Sequence, residues 1–235
     1  TRVFVKFALQ QPEMLTSMRM LEPMGIRGHN AKLSDASPQA AEEQLAWWRE
    51  QYEVFQRYDR EDYEGQDRLS YDVFDFFMAN TLAEADRWYL HSFPVNQMFG
   101  IQSNLPNFMA QQHVIEDELG AEHYIARLNQ FDTTFDQVLE GLRLRREAGI
   151  HPPALAVDKV IEQIDGFLEP APEDHLLTAS FDERVAEIDA AELSAERRAE
   201  LRAEVVEAVE TVVYPTYREL QDYLVDLRAV ATSND

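Results

Sequence analysis

Cysteine is absent from the 235 residues, which excludes disulfide frameworks, thiolate nucleophiles and cysteine-ligated metal sites, while leaving the compartment open because many exported proteins also lack it. Glycine is scarce, at eight residues. None of the eight falls in the closely spaced pattern after a strand that cradles phosphate, and Gly25 with Gly28 reads as a turn beside Arg27 and His29. Lysine is confined to Lys6, Lys32 and Lys159, so arginine supplies most of the positive charge. No stretch reaches the roughly 18 consecutive apolar residues of a membrane span, and Thr1 to Gln10 lacks the apolar run and cleavage site of a signal peptide. The sequence has no Gly-x-Ser-x-Gly elbow and no serine set in an oxyanion-loop pattern. None of its six histidines, His29, His91, His113, His123, His151 and His175, has a second histidine four residues away. The zincin arrangement, two imidazoles one helical turn apart with a glutamate beside the first, is therefore missing.

Against 21 Lys and Arg stand 44 Asp and Glu, a net charge of -23. Such a surface repels phosphate backbones and anionic lipids, so nucleic acid is excluded as a partner. With 45% hydrophobic and 11% aromatic residues, the chain is too apolar for a disordered acidic tail and must fold around a core. Apolar residues recur at three- and four-residue spacing between prolines, which predicts helices joined by short loops. Ser37-Pro38 starts a helix whose Leu45, Trp48, Tyr52 and Phe55 share one face. A second helix is expected to carry Leu69, Val73, Phe76, Phe77 and Leu82 inward before reaching Trp88. Phe93 to Pro106 reads as an irregular connection, and Ala121 to Ala148 as one long amphipathic helix stopped at Gly149. Pro152-Pro153 introduces a shorter helix with Val157, Val160, Ile161, Ile164 and Phe167, followed by a polar segment. The last helix, about Ser194 to Val230, is kinked by Pro215. The fold class expected is all-α: an irregular multi-helix domain with long amphipathic helices, spanning 1-235 as a single unit.

Candidate chemistry is sparse. His113 and Glu116 share a helical face and are the best metal pair, yet a di-iron bundle needs Glu-x-x-His on two helices and no instance exists, so no metal ligand is assigned. The carboxylates Asp59, Glu61, Asp62 and Glu64 cluster in a polar linker and read as a solvated charged stretch. In His91-Ser-Phe-Pro-Val-Asn-Gln97, Pro94 stops a helix and the amides of Asn96 and Gln97 can bind a peptide backbone or secure the loop. Asn96 and Gln97 are the assigned substrate-binding candidates, and no catalytic residue is assigned.

The order of several stretches resembles the bacterial family catalogued as domain of unknown function 885. They are Gly25-Ile-Arg-Gly-His-Asn-Ala-Lys-Leu-Ser-Asp-Ala-Ser37, Asp67-Arg-Leu-Ser-Tyr-Asp72, Phe93-Pro-Val-Asn-Gln97, Tyr124-Ile-Ala-Arg-Leu128, Gly149-Ile-His-Pro-Pro153 and Tyr214-Pro-Thr-Tyr-Arg-Glu-Leu220. Members look like gluzincin-type zinc metallopeptidases that are often exported or lipid-anchored, with a His-Glu-x-x-Pro-Gly-His-His signature in the C-terminal half. The resemblance implies that this chain is a truncated domain, the N-terminal helical part of a longer parent. It would form a wall of the channel for peptide substrate. Zinc would be held by the C-terminal catalytic half, with no cofactor in this segment, and the location would be periplasmic or at the cell envelope. The alternative from another class is a stand-alone acidic helical module that binds a protein partner through its aromatic faces.

Overall fold

The computed structural model describes residues 2–231, without the side chains of Arg2 and 86–88. Among the described residues every regular element is helical and there is no strand. In chain order they are α1 (Arg2–Ala8), α2 (Pro12–Met18), two short 3-10 turns (Glu22–Met24 and Gly28–Ala31), α3 (Pro38–Phe55), a 3-10 turn (Arg60–Asp62), α4 (Gly65–Trp88), a 3-10 turn (Tyr89–His91) and α5 (Ile101–Gln111). There follow α6 (Glu118–Leu128), α7 (Phe131–Glu147), α8 (Ala154–Leu168), a 3-10 turn (Pro172–Asp174), α9 (Leu176–Ala186), α10 (Ala195–Ala208), a π turn (Val209–Val213) and α11 (Tyr214–Arg228).

Local chemistry explains most boundaries. Ser37 Oγ accepts from the amide of Ala40 at 3.1 Å and Pro38 opens α3 without wasting a donor. Ser194 caps α10 in the same way, through Arg197 N at 3.2 Å. Gly149, at φ 72°, ends α7: its N–H reaches Arg146 O and that of Ile150 reaches back to Arg145 O, at 3.0 and 2.9 Å.

Three expected boundaries change. The long helix over Ala121 to Ala148 is two helices, because Gln130 leaves the ladder. Its side chain Nε2 takes the carbonyl of Ala126, which its own amide would have used, and also that of Ala31, each at 2.7 Å. The irregular stretch ends at Gly100, since Asn104 and Pro106 lie inside α5. Pro106 has no N–H for the carbonyl of Gln102 four residues back, and the buried hydroxyl of Tyr217 donates to that oxygen at 2.7 Å instead. The polar segment after Pro170 contains α9, which buries Leu177, Phe181 and Val185 at four-residue spacing.

The chain divides into two compact units, 1–35 together with 93–235, and 36–92. In the larger unit α8 packs on α11, α7 on α11, α10 on α6 and α9, and α5 on α8 and α9. Its core is dense with fully buried side chains, among them Tyr124, Leu128, Phe131, Phe135, Ile164, Phe181 and Tyr217. The long terminal helix passes its proline as predicted, but through a π turn at Val209–Val213 that precedes Pro215.

The smaller unit is a hairpin of α3 and α4. Phe55 meets Tyr71 and Phe74 with ring centroids 4.4 and 4.7 Å apart, Tyr52 donates to Asp75 at 2.8 Å, and Arg60 grips Asp72 through two bonds of 2.5 and 2.7 Å. Because Tyr71, Phe74 and Asp75 form the face toward α3, four of the five residues expected to point inward do not, and Leu82 is half-buried. Leu69, Val73, Phe76 and Phe77 are each more than half exposed, whereas Met78 is buried. The side chain of Trp88 lies outside those described.

Candidate functional site

The amide pair singled out in the sequence lies in the loop over 93–100. Asn96 holds that loop together: Nδ2 donates to Phe93 O at 3.2 Å, and Oδ1 accepts from the amides of Met98 and Phe99 at 3.0 and 2.8 Å. Its backbone carbonyl accepts from Gln102 Nε2 at 2.8 Å. Among the described residues Gln97 is bound through its backbone alone, whose carbonyl accepts from Gln163 Nε2 at 3.0 Å, and its side chain is exposed. Met98 and Phe99, 68% and 73% exposed, form the tip beside it. Gly100 is required here. A Cβ at that position would lie 2.0 Å from Gln102 Oε1 and 2.5 Å from Asn96 O, closer than any packed carbon tolerates.

A second constellation escaped the sequence reading. Arg127, inside the stretch Tyr124 to Leu128, is fully buried, and among the described residues no carboxylate touches it. Its planar fork donates to Lys32 O at 2.9 Å, His113 Nδ1 at 2.9 Å, Thr16 Oγ1 at 2.9 Å and His29 O at 3.2 Å. Negative charge arrives at one remove. Thr16 Oγ1 lies 2.6 Å from Asn30 Oδ1, and Asn30 Nδ2 donates to Glu22 Oε1 at 3.2 Å, so two neutral side chains link guanidinium to carboxylate. Burial lowers the guanidinium to about 10, opposed by the charges of Glu13 and Glu22. The only signal for this site in the sequence is an arginine interrupting an apolar helical face.

His113 completes the arrangement. Burial, followed by the positive charge of Arg127, pushes its imidazole down to about 3. The neutral ring accepts at Nδ1 from Arg127 and donates from Nε2 to Gly120 O at 3.2 Å, which fixes its tautomer. Gly120 is set by Asp117, which caps α6 through Gly120 N at 2.9 Å and clasps Arg27 at 2.5 and 2.8 Å. The Arg27 hydrogen bonds hold the Asp117 carboxyl below the usual carboxylate range. Arg184 adds donors to the carbonyls of His113 and Met109 and lies over the ring of Tyr124. The Arg127 and Asp117 contacts clamp the segment Gly25 to Lys32 onto α6, and those of Arg184 tie α9 to the end of α5. They position backbone, and no group among them is placed to move a proton on a substrate.

The metal pair weighed in the sequence is not assembled. Both nitrogens of His113 are committed, and Glu116 pairs with Arg19 at 2.8 Å. Among the described residues no three His, Asp or Glu side chains are grouped to hold an ion, so the donor set here does not fit zinc.

The two stretches joined by Arg127 and the loop around Asn96 are three of those that carry the family resemblance, and the family described as "Bacterial protein of unknown function (DUF885)" matches residues 12–235. The chain belongs to that family. This DUF885 chain also shares its fold with a solved structure from Colwellia psychrerythraea, described as "the putative lipoprotein", at 19% identity and a TM-score of 0.81. The likeness covers 95% of this chain and 40% of that one. No curated protein matches the DUF885 chain. No helix among the described residues is long and apolar enough to cross a membrane.

Proposed function

We propose that this chain is the helical, substrate-channel-forming part of a zinc-dependent peptidase, with zinc held by a C-terminal catalytic half outside these 235 residues. One observation carries the reading. A likeness that takes in 95% of this chain takes in only 40% of its solved neighbour, which is the proportion expected of a scaffold that serves chemistry placed elsewhere. The resemblance of the ordered stretches to gluzincin relatives supports the reaction class, and the neighbour's lipoprotein name supports a cell-envelope location. In this reading the chain's own residues bind and orient peptide substrate. Gln97 presents its amide at the exposed loop tip to the peptide backbone, and Asn96 keeps that tip in shape.

The test is hydrolysis of short peptides by the 235-residue chain and by a longer protein containing it, each with zinc and with chelator. The chain alone is expected to be inert. The longer protein is expected to show chelator-sensitive turnover, with Gln97→Ala raising KM more than it lowers kcat. Robust zinc-dependent turnover by the chain alone would sink the reading.

A second reading, a helical module that binds a protein partner, is favoured by the exposed stripe Leu69, Val73, Phe76 and Phe77 on α4. A partner whose capture is lost in Phe76→Ser, with the helical spectrum intact, would select it over the first.

A further inference from the structure

An open cavity of about 360 Å³ lies among α5, α8, α9 and α11, within the size range of small-ligand sites. Neither the loop around Asn96 nor the Arg127 network accounts for it. Its lining is neutral throughout: no Asp, Glu, Lys or Arg contributes, in a chain where 28% of residues are charged. The ring within reach of the cavity is Phe167, backed by two buried rings. Phe167 stacks on Tyr217 with centroids 4.1 Å apart and meets the edge of His175 at 4.4 Å. The polar atoms of the two buried rings are already used, since Tyr217 donates to Gln102 O and His175 Nδ1 accepts from Leu177 N. Ser103 and Asn107, on α5 at the edge, have side chains with no partner among the described residues.

Gly166 is an independent sign that the space is kept open. It lies inside α8 with no positive φ, and a Cβ there would meet nothing within 4 Å. Neither turn geometry nor close packing calls for glycine, which weakens a helix relative to alanine. What the missing side chain supplies is room on the wall of the cavity.

We propose that this cavity binds one neutral aromatic group, stacked on Phe167, which the buried Tyr217 backs, with Ser103 and Asn107 bonding its polar substituent. A flat ring matches the face of Phe167. A cation or anion would give up its water and meet no counter-charge inside. The proposal stands on the lining alone and does not depend on the peptidase reading.

The test titrates the unlabelled 235-residue chain, followed by NMR, with N-acetyl-phenylalanine amide, N-acetyl-leucine amide, N-acetyl-lysine amide and p-cresol. Saturable binding is expected in the order phenylalanine, leucine, lysine. Gly166→Leu, which fills the opening, is expected to weaken the phenylalanine probe by about tenfold or more while leaving the thermal midpoint unchanged or raised. If p-cresol binds as tightly as the phenylalanine amide, the cavity recognises a free ring; if the amide is clearly tighter, it recognises a residue of a peptide. Both outcomes uphold the site. Equal affinity in the Gly166→Leu chain, a lysine probe that matches the phenylalanine probe, or no saturable aromatic binding would overturn it. Proton contacts between the bound ring and Gly166 or Phe167 in the unsubstituted chain read the same point without any substitution, and their absence also overturns it.

Discussion

The larger unit and the α3–α4 hairpin draw on similar stocks of aromatic residues and use them differently. In the larger unit the central rings are buried, and even an arginine is taken inside with four of its five N–H donors matched. In the hairpin the rings pair locally, around Phe55, while a second apolar stripe on α4 stays in water. Two helices alone cannot enclose more than one face of each. Order in the first unit is therefore set by contacts distant in sequence, and order in the second by neighbours.

Substitutions can break that contrast. The largest loss is expected from Arg127→Ala, which leaves a cavity and strands His113 Nδ1 and the carbonyls of Lys32 and His29, at about 3–5 kcal/mol by urea denaturation. Arg127→Lys should recover little of it, because an ammonium cannot span the fork. A loss below about 1 kcal/mol for Arg127→Ala would mean that distant contacts do not govern the larger unit.

Next in size is acid. His113 is held down to about 3 and His175 to about 4, both by burial, against about 6.5 for a free imidazole. Between those limits the unfolded chain binds more protons than the folded one, so stability rises with pH through the window and is lost as pH falls below about 6.5. Thermal midpoints measured from pH 7 to 4 should fall, and His113→Gln should flatten the slope. An unchanged slope in that variant would remove His113 from the account.

Tyr217→Phe is expected to cost about 1–3 kcal/mol by stranding the Gln102 carbonyl. Smallest of all is Phe76→Ser in the hairpin, which should shift stability by less than about 0.5 kcal/mol, since that ring is largely in solvent. A larger loss there would show that the α4 stripe is not free.

Much of the fold was legible because its signals are local. Ser37, Gly149 and Ser194 act on backbone within a few residues of themselves, and the sequence places those boundaries correctly. The misplaced features depend on partners far away. The break after Leu128 exists because Gln130 also reaches Ala31, and Pro106 fits inside α5 because of Tyr217. The outward turn of α4 depends on which of its two apolar faces meets α3, and periodicity alone weighs both alike. Arg127 was invisible for a similar reason: an arginine in a helix reads as solvent-facing until four acceptors from three other segments are seen around it. Asn96 was readable as a loop residue, and its turn-like bonds are of the short-range kind that sequence conveys.

The bond from the Tyr217 hydroxyl to the Gln102 carbonyl joins residues 115 positions apart. On a ribosome, α5 emerges with its proline gap open and stays so until α11 has been translated. The fifth helix is thus sealed by the eleventh, and a ribosome stalled before Tyr217 would hold a chain whose fifth helix still gives one carbonyl to water.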